Sequence, residues 1–578
     1  MTDAEDRVAA AEQALKQAQE ELARAKAAED AADEPAAPAT ETPPAAAPPA
    51  ATPPAAAPLG ADAVAAIQAG YAFDAPALEM GALVNGEPVR EARIRIPIAM
   101  VNRHGLVAGA TGTGKTKTLQ VLAEQLSAAG VPVFAADIKG DLSGIATAAG
   151  PGDEKLLART ASIGQDWSAK ASPTEFFSLG GIGEGVPIRA SVTSFGPLML
   201  SKVLGLNQTQ ESSLGLVFHY AESKGLQLVT LQDLRAVLNY LVSDEGKAEL
   251  TGLGGLSKAT VGVILRELIA FADQGADVFF GLPEIDVNDF FRTSGGAGVV
   301  SLLGVRSVLG KPELFSTFLM WLLARLYETL PEVGDTDKPK LVFFFDEAHL
   351  LFKDASKDFL ATVTQVVRLI RSRGVGIFFV TQTPKDVPGD VLAQLGSRVQ
   401  HQLRAHTPND VKALKATVAT YPISDYDLAE VFQSLGIGEA VVTVMNEKGA
   451  PSPVAWTRLR APQGSMQPTP DETIATAVAA SPLLTKYQGA AAPGTANEVL
   501  AQRQSQAEAQ LELDAMQKQA MRDAERQARA DAAETKRRDR EAAAEARRRE
   551  REAERLRKQT VNAGVRVARV ILGKLFKR

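Results

Sequence analysis

The sequence predicts an α/β protein built on a parallel sheet, and three observations carry that prediction. A glycine-rich segment, Gly109 to Thr116, sits between a short apolar strand, Leu106–Ala108, and a stretch from Lys117 to Ala129 whose Leu119, Leu122, Ala123 and Leu126 fall at helical spacing. Apolar runs of strand length recur at Val131–Asp137, Gly298–Leu303, Val342–Phe345 and Gly376–Val380, with helix-patterned chain between them, the alternation expected of a parallel sheet covered by helices. Two of these runs end in acids, Asp137 and the pair Asp346-Glu347, where sheets of this class place ligand-facing groups.

The bulk numbers set limits. The chain has 578 residues, no cysteine, five scattered histidines and a net charge of −7. Disulfides, thiolate metal sites and cysteine nucleophiles are excluded. An acidic balance does not favour a whole-surface nucleic-acid binder, so such binding requires a local basic patch. The N-terminus, Met1-Thr2-Asp3-Ala4-Glu5-Asp6, lacks the apolar core of a secretory signal. The longest apolar run, Leu314 to Leu330, is broken by Arg325 and Glu328 and is short for a bilayer span. The expected location is the cytoplasm, with no integral membrane segment.

In chain order, residues 1–33 carry Val8, Leu15 and Leu22 at heptad spacing with alanines between; this reads as a short coiled-coil seam or a solvated helix. Residues 34–58 are nearly all Pro, Ala and Thr and form a disordered linker. Residues 59–105 read as a helix from Ala61 to Gly70, then a small N-terminal β-subdomain or sheet edge with a turn at Val84–Glu87, too short for an independent domain.

The segment Gly109-Ala110-Thr111-Gly112-Thr113-Gly114-Lys115-Thr116 fits the phosphate-loop pattern G-x-x-x-x-G-K-[ST]. Its glycines let backbone N–H groups curl around an anion, and the following helix N-terminus adds positive potential. Lys115 would reach the terminal phosphates of a bound nucleotide, and the Thr116 hydroxyl would join a Mg²⁺ shell.

Residues 157–295 read as a mainly helical insertion: a Gly-rich hairpin from Gly180 to Arg189, then helices near 195–205, 208–224, 230–243 and 257–274, with a capping box at Thr230 and Asp233. After the strand at 298–303 and a helix over 311–330, the strand Val342–Phe345 delivers Asp346 and Glu347. Asp346 would hold Mg²⁺, and Glu347 would polarise the attacking water. In the next helix, Val363, Val366, Val367 and Ile370 form an apolar stripe, with Arg368 and Arg371 off it and Arg373 just beyond. These arginines read equally as stabilisers of phosphoryl-transfer charge and as cations at a helix C-terminus. The strand Gly376–Val380 ends in Thr381-Gln382, a place suited to sensing phosphate.

Residues 437–460 read as a closing hairpin, 466–496 as a linker, and 497–578 as a charged helical tail. From Lys536 onward, sixteen Lys and Arg stand against six acids, and Val561–Phe576 reads as a basic amphipathic helix. Such a helix lies on anionic lipid, binds nucleic-acid phosphates or packs on a partner.

Taken in order, Asn102-Arg103-His104-Gly105, the phosphate loop, Asp137–Leu142, Lys338–His349, Leu369–Gly376, Val380–Pro384, Gln394–Arg404 and Gly436–Ala440 resemble the bacterial HerA-like ATPases of the HerA/FtsK superfamily over residues 60–465. The resemblance implies a RecA-like P-loop ATPase core (about residues 106–465) of the type with an additional strand, assembled as a homo-oligomeric ring, usually a hexamer, with ATP and Mg²⁺ at subunit interfaces. Lys115, Thr116, Asp346, Glu347 and Gln382 match the family's phosphate, metal, base and sensor positions. Arg103 and Arg371 match interface arginines, with Arg373 as an alternative. The Asp346-Glu347-Ala348-His349 run does not carry the other motifs of DEAH-box helicases. The implied function is an ATP-driven motor that translocates or unwinds DNA; the alternatives are an ATPase of this fold acting on protein or at the membrane surface, and a nucleotide-dependent scaffold. Archaeal members carry an N-terminal β-barrel, for which residues 60–105 are too few.

Overall fold

The computed structural model describes residues 58–250, 254–304, 312–334, 336–352, 357–489 and 494–575. The expected coiled-coil segment at 1–33 and almost all of the Pro/Ala linker lie outside these residues. Twelve strands form one sheet. In chain order the strands are β1 (Ala77–Asn85), β2 (Glu87–Pro97), β3 (Gly105–Ala108), β4 (Val133–Asp137), β5 (Thr174–Leu179), β6 (Val186–Ile188), the small separate hairpin β7 (Thr293–Ser294) and β8 (Ala297–Gly298), β9 (Val300–Gly304), β10 (Leu341–Phe345), β11 (Val375–Thr381), β12 (Ser397–Gln400), β13 (Glu439–Thr443) and β14 (Ala455–Leu459). Their order across the sheet is β2-β1-β14-β13-β12-β3-β11-β10-β4-β9-β5-β6. From β12 to β6 all pairings are parallel; from β12 to β2 they are antiparallel.

The central strands are apolar throughout because both faces are covered, and side chains alternate between them. Phe343 and Phe345 of β10, Ile377 and Phe379 of β11 and Phe134 of β4 enter one core. Val342 and Phe344, Phe378 and Val380, and Val133 and Ala135 enter the other. The first core is closed by the helices Val192–Val203, Gln208–Ser223, Leu231–Leu241, Lys258–Asp273, Pro312–Thr329 and Lys357–Ile370. The second is closed by Lys115–Ala128, which contributes Leu119, Leu122, Ala123 and Leu126. The capping box at Thr230 and Asp233 is formed.

The strands ahead of the phosphate loop form an edge of the main sheet: β1 is hydrogen-bonded to β14, and β2 is the outermost strand. Three sequence expectations change. The segment from Gly180 to Arg189 is not a hairpin. β5 and β6 pair in parallel, with Phe177 opposite Val186 and Leu179 opposite Ile188. Parallel neighbours ordinarily need a long crossover. Here Gly180, Gly181, Gly183 and Gly185 all take positive φ, which lets six residues carry the chain back. The span 157–295 is therefore not purely an insertion, since β5 and β6 complete the sheet.

The expected linker at 466–496 contains helices Asp471–Ala479 and Pro482–Tyr487. Tyr487 is fully buried, its hydroxyl accepts from the Asp286 amide at 2.9 Å, and its carbonyl accepts from Arg189 at 3.1 Å. The expected helical tail is one continuous helix, Ala496–Leu575. Its first turn is docked: Leu500 is buried, Ala496 N–H donates to the Gln227 carbonyl at 2.9 Å, and Asn497 N–H donates to Asp233 Oδ1 at 2.9 Å. Beyond that turn its described side chains are mostly exposed, and i,i+4 pairs such as Arg529–Glu525, Arg538–Glu534 and Arg549–Glu545 line its surface. Among the described residues, no helix is long and apolar enough to cross a membrane.

Candidate nucleotide site

The loop Gly109–Thr116 leaves the C-terminal end of β3 and enters the helix Lys115–Ala128. Its conformation calls for glycine at three places. Gly114 has φ +110°, and a Cβ on Gly109 would stand 2.4 Å from His401 Cβ. Gly112, at φ +82°, has nothing within 4 Å of where its Cβ would stand, and Thr111 and Gly112 are exposed. The outer rim of the loop is open and its inner side is tightly packed.

The packing comes from the end of β12, the strand beside β3, and from the turn before β13. Ala110 N–H donates to the Gln402 carbonyl at 2.8 Å, and Gly438 N–H donates to the Thr113 carbonyl at 3.2 Å. Arg159 in turn donates to the Gly438 carbonyl at 2.7 Å. His401, wholly buried beneath the loop, places Nε2 2.9 Å from Thr118 Oγ1. Burial, with the nearby Lys115 charge, pushes His401 down to about 3, so it stays neutral. The Lys115 ammonium folds onto the loop carbonyls of Gly109 and Ala110, at 2.7 and 3.1 Å. Burial lowers its pKa, while Glu347 and Asp346 work to raise it.

The acids arrive from β10, two strands from β3 with β11 between them. Strand β11 binds both halves of the site: Gly109 N–H donates to the Thr381 carbonyl at 3.2 Å, and Ala348 N–H donates to the Val380 carbonyl at 2.8 Å. Gln382, the next residue along, is exposed at the same sheet edge. Burial, then the adjacent Glu347 charge, lifts the Asp346 carboxyl to about 6. Its Oδ1 accepts from Glu347 N–H at 2.9 Å. Glu347 has φ +48°, a left-handed conformation that is strained for a bulky residue. Its Oε1 accepts from Lys139 Nζ at 2.9 Å, which raises the pKa of Lys139. Its Oε2 is buried without a hydrogen bond, 3.2 Å from His349 Nδ1.

The candidate arginines lie elsewhere. Arg103 precedes β3 and Arg371 precedes β11, so both sit at the N-terminal edge of the sheet, opposite the loop. They meet around His104, which adjoins Arg103 in the chain and feels the Arg371 charge. His104 accepts at Nδ1 from Ile377 N–H (3.0 Å), so its Nε2 carries the proton donated to the Val367 carbonyl (2.8 Å). Burial pushes it down to about 4. Arg373, the alternative candidate, is occupied structurally: it donates to the Leu330 carbonyl at 2.7 Å and lies 5.0 Å from the centre of the Tyr327 ring.

The sequence profile of the family described as "Helicase HerA-like C-terminal" matches residues 83–578. The chain belongs to this HerA-like family. No curated protein matches the chain. Among solved structures, it is similar to the bacterial conjugative coupling protein TrwBΔN70 at 15% identity, over 71% of this chain and 94% of that one, with a TM-score of 0.48. It is also similar to TrwB in complex with ADP and Mg²⁺, at 17% identity, over 65% and 89% of the two chains and a TM-score of 0.45. VirB4 of Thermoanaerobacter pseudethanolicus is 12% identical over 67% and 98%, with a TM-score of 0.44. The HerA-like core is RecA-like in architecture, with β11 as the additional strand between the strands of the loop and of the acids.

Sequence reasoning had not singled out Lys139, His401, His104 or Arg159. Lys139 had a signal, since it lies in the polar turn that follows β4. His104 and Arg159 act through backbone contacts, and His401 through the Thr118 hydroxyl, all with partners far away in the chain that no local pattern marks.

Proposed function

We propose that this HerA-like protein binds and hydrolyses ATP and uses the energy to move along or unwind DNA as a homo-oligomeric ring, usually a hexamer in such proteins. The observation that carries the hydrolysis is the convergence of Lys115, Thr116, Asp346, Glu347 and Gln382 at one sheet edge, built by the order β3-β11-β10. The residues fit Mg²⁺ and a triphosphate: an open glycine cradle, a desolvated Lys115, a buried Asp346 carboxyl and a carboxylate oxygen of Glu347 without a hydrogen bond. When bound, Mg²⁺ supplies charge neutralisation between the phosphates, held by Thr116 and Asp346.

Lys115 and the loop amides orient the phosphates. Glu347 takes a proton from the water whose oxygen bonds to the γ-phosphorus as the bond to the ADP oxygen breaks. Gln382 senses the γ-phosphate. Arg103 and Arg371 stand about 20 Å from their own loop by strand length, so they serve a neighbouring subunit's ATP. That placement supports the ring.

The word helicase in the family description supports DNA as the substrate, and the basic end of the tail supports a phosphate-bearing partner. The test is ATPase activity with and without double-stranded DNA at rising salt, beside Glu347→Gln. Stimulation by DNA that fades with salt is expected. Stimulation by anionic vesicles instead would move the substrate to the membrane surface, with the tail as a peripheral contact. Hydrolysis by Glu347→Gln at the parental rate would overturn the assignment of the base.

A further inference from the structure

Strand β4 lies beside β10 in parallel register, Val133 opposite Val342 and Ala135 opposite Phe344, so the chain leaving β4 faces the chain leaving β10. That places Lys139 across from Glu347. Their contact, Nζ to Oε1 at 2.9 Å, joins residues far apart in sequence. The two partners differ in environment: the Glu347 side chain is 9% exposed and the Lys139 side chain 49%. The acid is fixed and the ammonium can leave into water.

Both backbones are held. Lys139 precedes Gly140, which turns at φ +77°. The turn is tied by Ser143 N–H donating to Asp137 Oδ2 at 2.9 Å and Ser143 Oγ donating to the Gly140 carbonyl at 2.7 Å. Thr469, from the chain leading to the tail, secures Ser143 from the other side through its own N–H, at 3.0 Å to Ser143 Oγ. Glu347 is pinned in its left-handed conformation by Asp346 Oδ1 on its own N–H and by the Val380 carbonyl on the N–H of Ala348. Strain of this kind persists only where the surroundings over-determine it.

The Glu347 oxygen engaged by the Lys139 ammonium at 2.9 Å is not available to accept a hydrogen bond from an attacking water. We propose that Lys139 is a positioning residue that holds Glu347 out of action, so that ATP bound at Lys115 is hydrolysed slowly until the Lys139–Glu347 pair opens. This rests on the reading of Glu347 as the base. The chain that ends in the docked tail helix also holds the Lys139 turn through Thr469, so events outside the nucleotide pocket have a route to the pair.

The test compares Lys139→Met, which keeps the length and removes the charge, with Lys139→Arg, which keeps the charge. Steady-state ATPase is measured with and without double-stranded DNA, and folding is checked by thermal melting and fluorescent-ATP binding. The expected result is a basal kcat at least five-fold above the parent in Lys139→Met, with KM within two-fold and DNA stimulation falling toward one. Lys139→Arg should stay near the parental basal rate. A basal kcat in Lys139→Met equal to or below the parent's, with ATP binding intact, would overturn the restraint, because a merely structural lysine does not raise kcat when lost. Glu347→Gln separates the two readings. Turnover persisting in Glu347→Gln defeats the base assignment. An inactive Glu347→Gln beside an unaccelerated Lys139→Met defeats only the restraint.

Discussion

The ammonium of Lys115 donates to the carbonyl of Gly109 at 2.7 Å, so the cation that would meet a phosphate is satisfied by its own loop. A nucleotide bound here would exchange that contact for one to an anion, and a charge-assisted bond in a desolvated site is the stronger of the two. Lys115→Ala should weaken fluorescent-ATP affinity by about 10- to 100-fold, the equivalent of one or two such bonds. The melting temperature without nucleotide should fall modestly, because the Gly109 residue is buried and its carbonyl loses a donor. Unchanged affinity in Lys115→Ala would mean that the phosphates bind elsewhere.

The two buried histidines set a pH dependence of stability. His104 is pushed to about 4 and His401 to about 3, against about 6.5 for an unfolded chain. Both are neutral in the fold at pH 5, whereas the unfolded chain has bound a proton at each. Their contribution is therefore complete above pH 6.5 and is lost as pH falls from there toward 4 and 3. The full loss from His104 alone, reached below pH 4, is on the order of 3 kcal/mol, of which about 2 kcal/mol falls between pH 7.5 and pH 5. Urea unfolding at pH 7.5 and pH 5 should show it, and His104→Gln should flatten the slope. Equal stability at the two pH values would contradict the neutral state.

Asp233 caps two helices. Its Oδ2 accepts from Thr230 N–H at 2.8 Å, and its Oδ1 accepts from Asn497 N–H at 2.9 Å. Asp233→Ala should cost about 1–3 kcal/mol in urea unfolding. It should also speed proteolysis between Gln488 and Asn497, because the tail's first turn loses its anchor. Asp233→Asn, with one oxygen left, should fall between. A tail that remains equally protected in Asp233→Ala would show that Leu500 and its apolar neighbours hold it alone.

Subunit mixing tests the placement of the arginines. Arg371→Ala and Arg103→Ala should each lower kcat steeply, by about 10³-fold if they act on transferring phosphate. Arg371→Ala subunits mixed with Lys115→Ala subunits should regain activity, since a mixed interface can pair an intact arginine with an intact loop. No recovery on mixing, with oligomers confirmed by native mass spectrometry, would exclude action across subunits.

Much of this molecule is written locally. The phosphate loop, the acids after Val342–Phe345 and the capping box at Thr230 and Asp233 each depend on residues within a few positions, so spacing alone exposes them. The parallel pairing of β5 and β6 was not legible, because a short glycine-rich connection reads as a hairpin unless the φ angles of Gly180 to Gly185 are known. The helices at 471–479 and 482–487 were missed for another reason. Their stability comes from contacts such as Tyr487 with Asp286 and Arg189, which lie far away in the chain. The Lys139–Glu347 pair is of the same kind: each residue follows the end of a recognised strand, but only the adjacency of β4 and β10 brings them together.

Strand β11 leaves little room for a hinge. Its last two carbonyls, Val380 and Thr381, hold Ala348 and Gly109, so the two halves of the pocket hang from consecutive peptides of one strand. They cannot part like jaws without rupturing the middle of the sheet. If the pocket opens and closes, it does so by side chains such as Gln382 and Lys139 trading partners over a stationary floor.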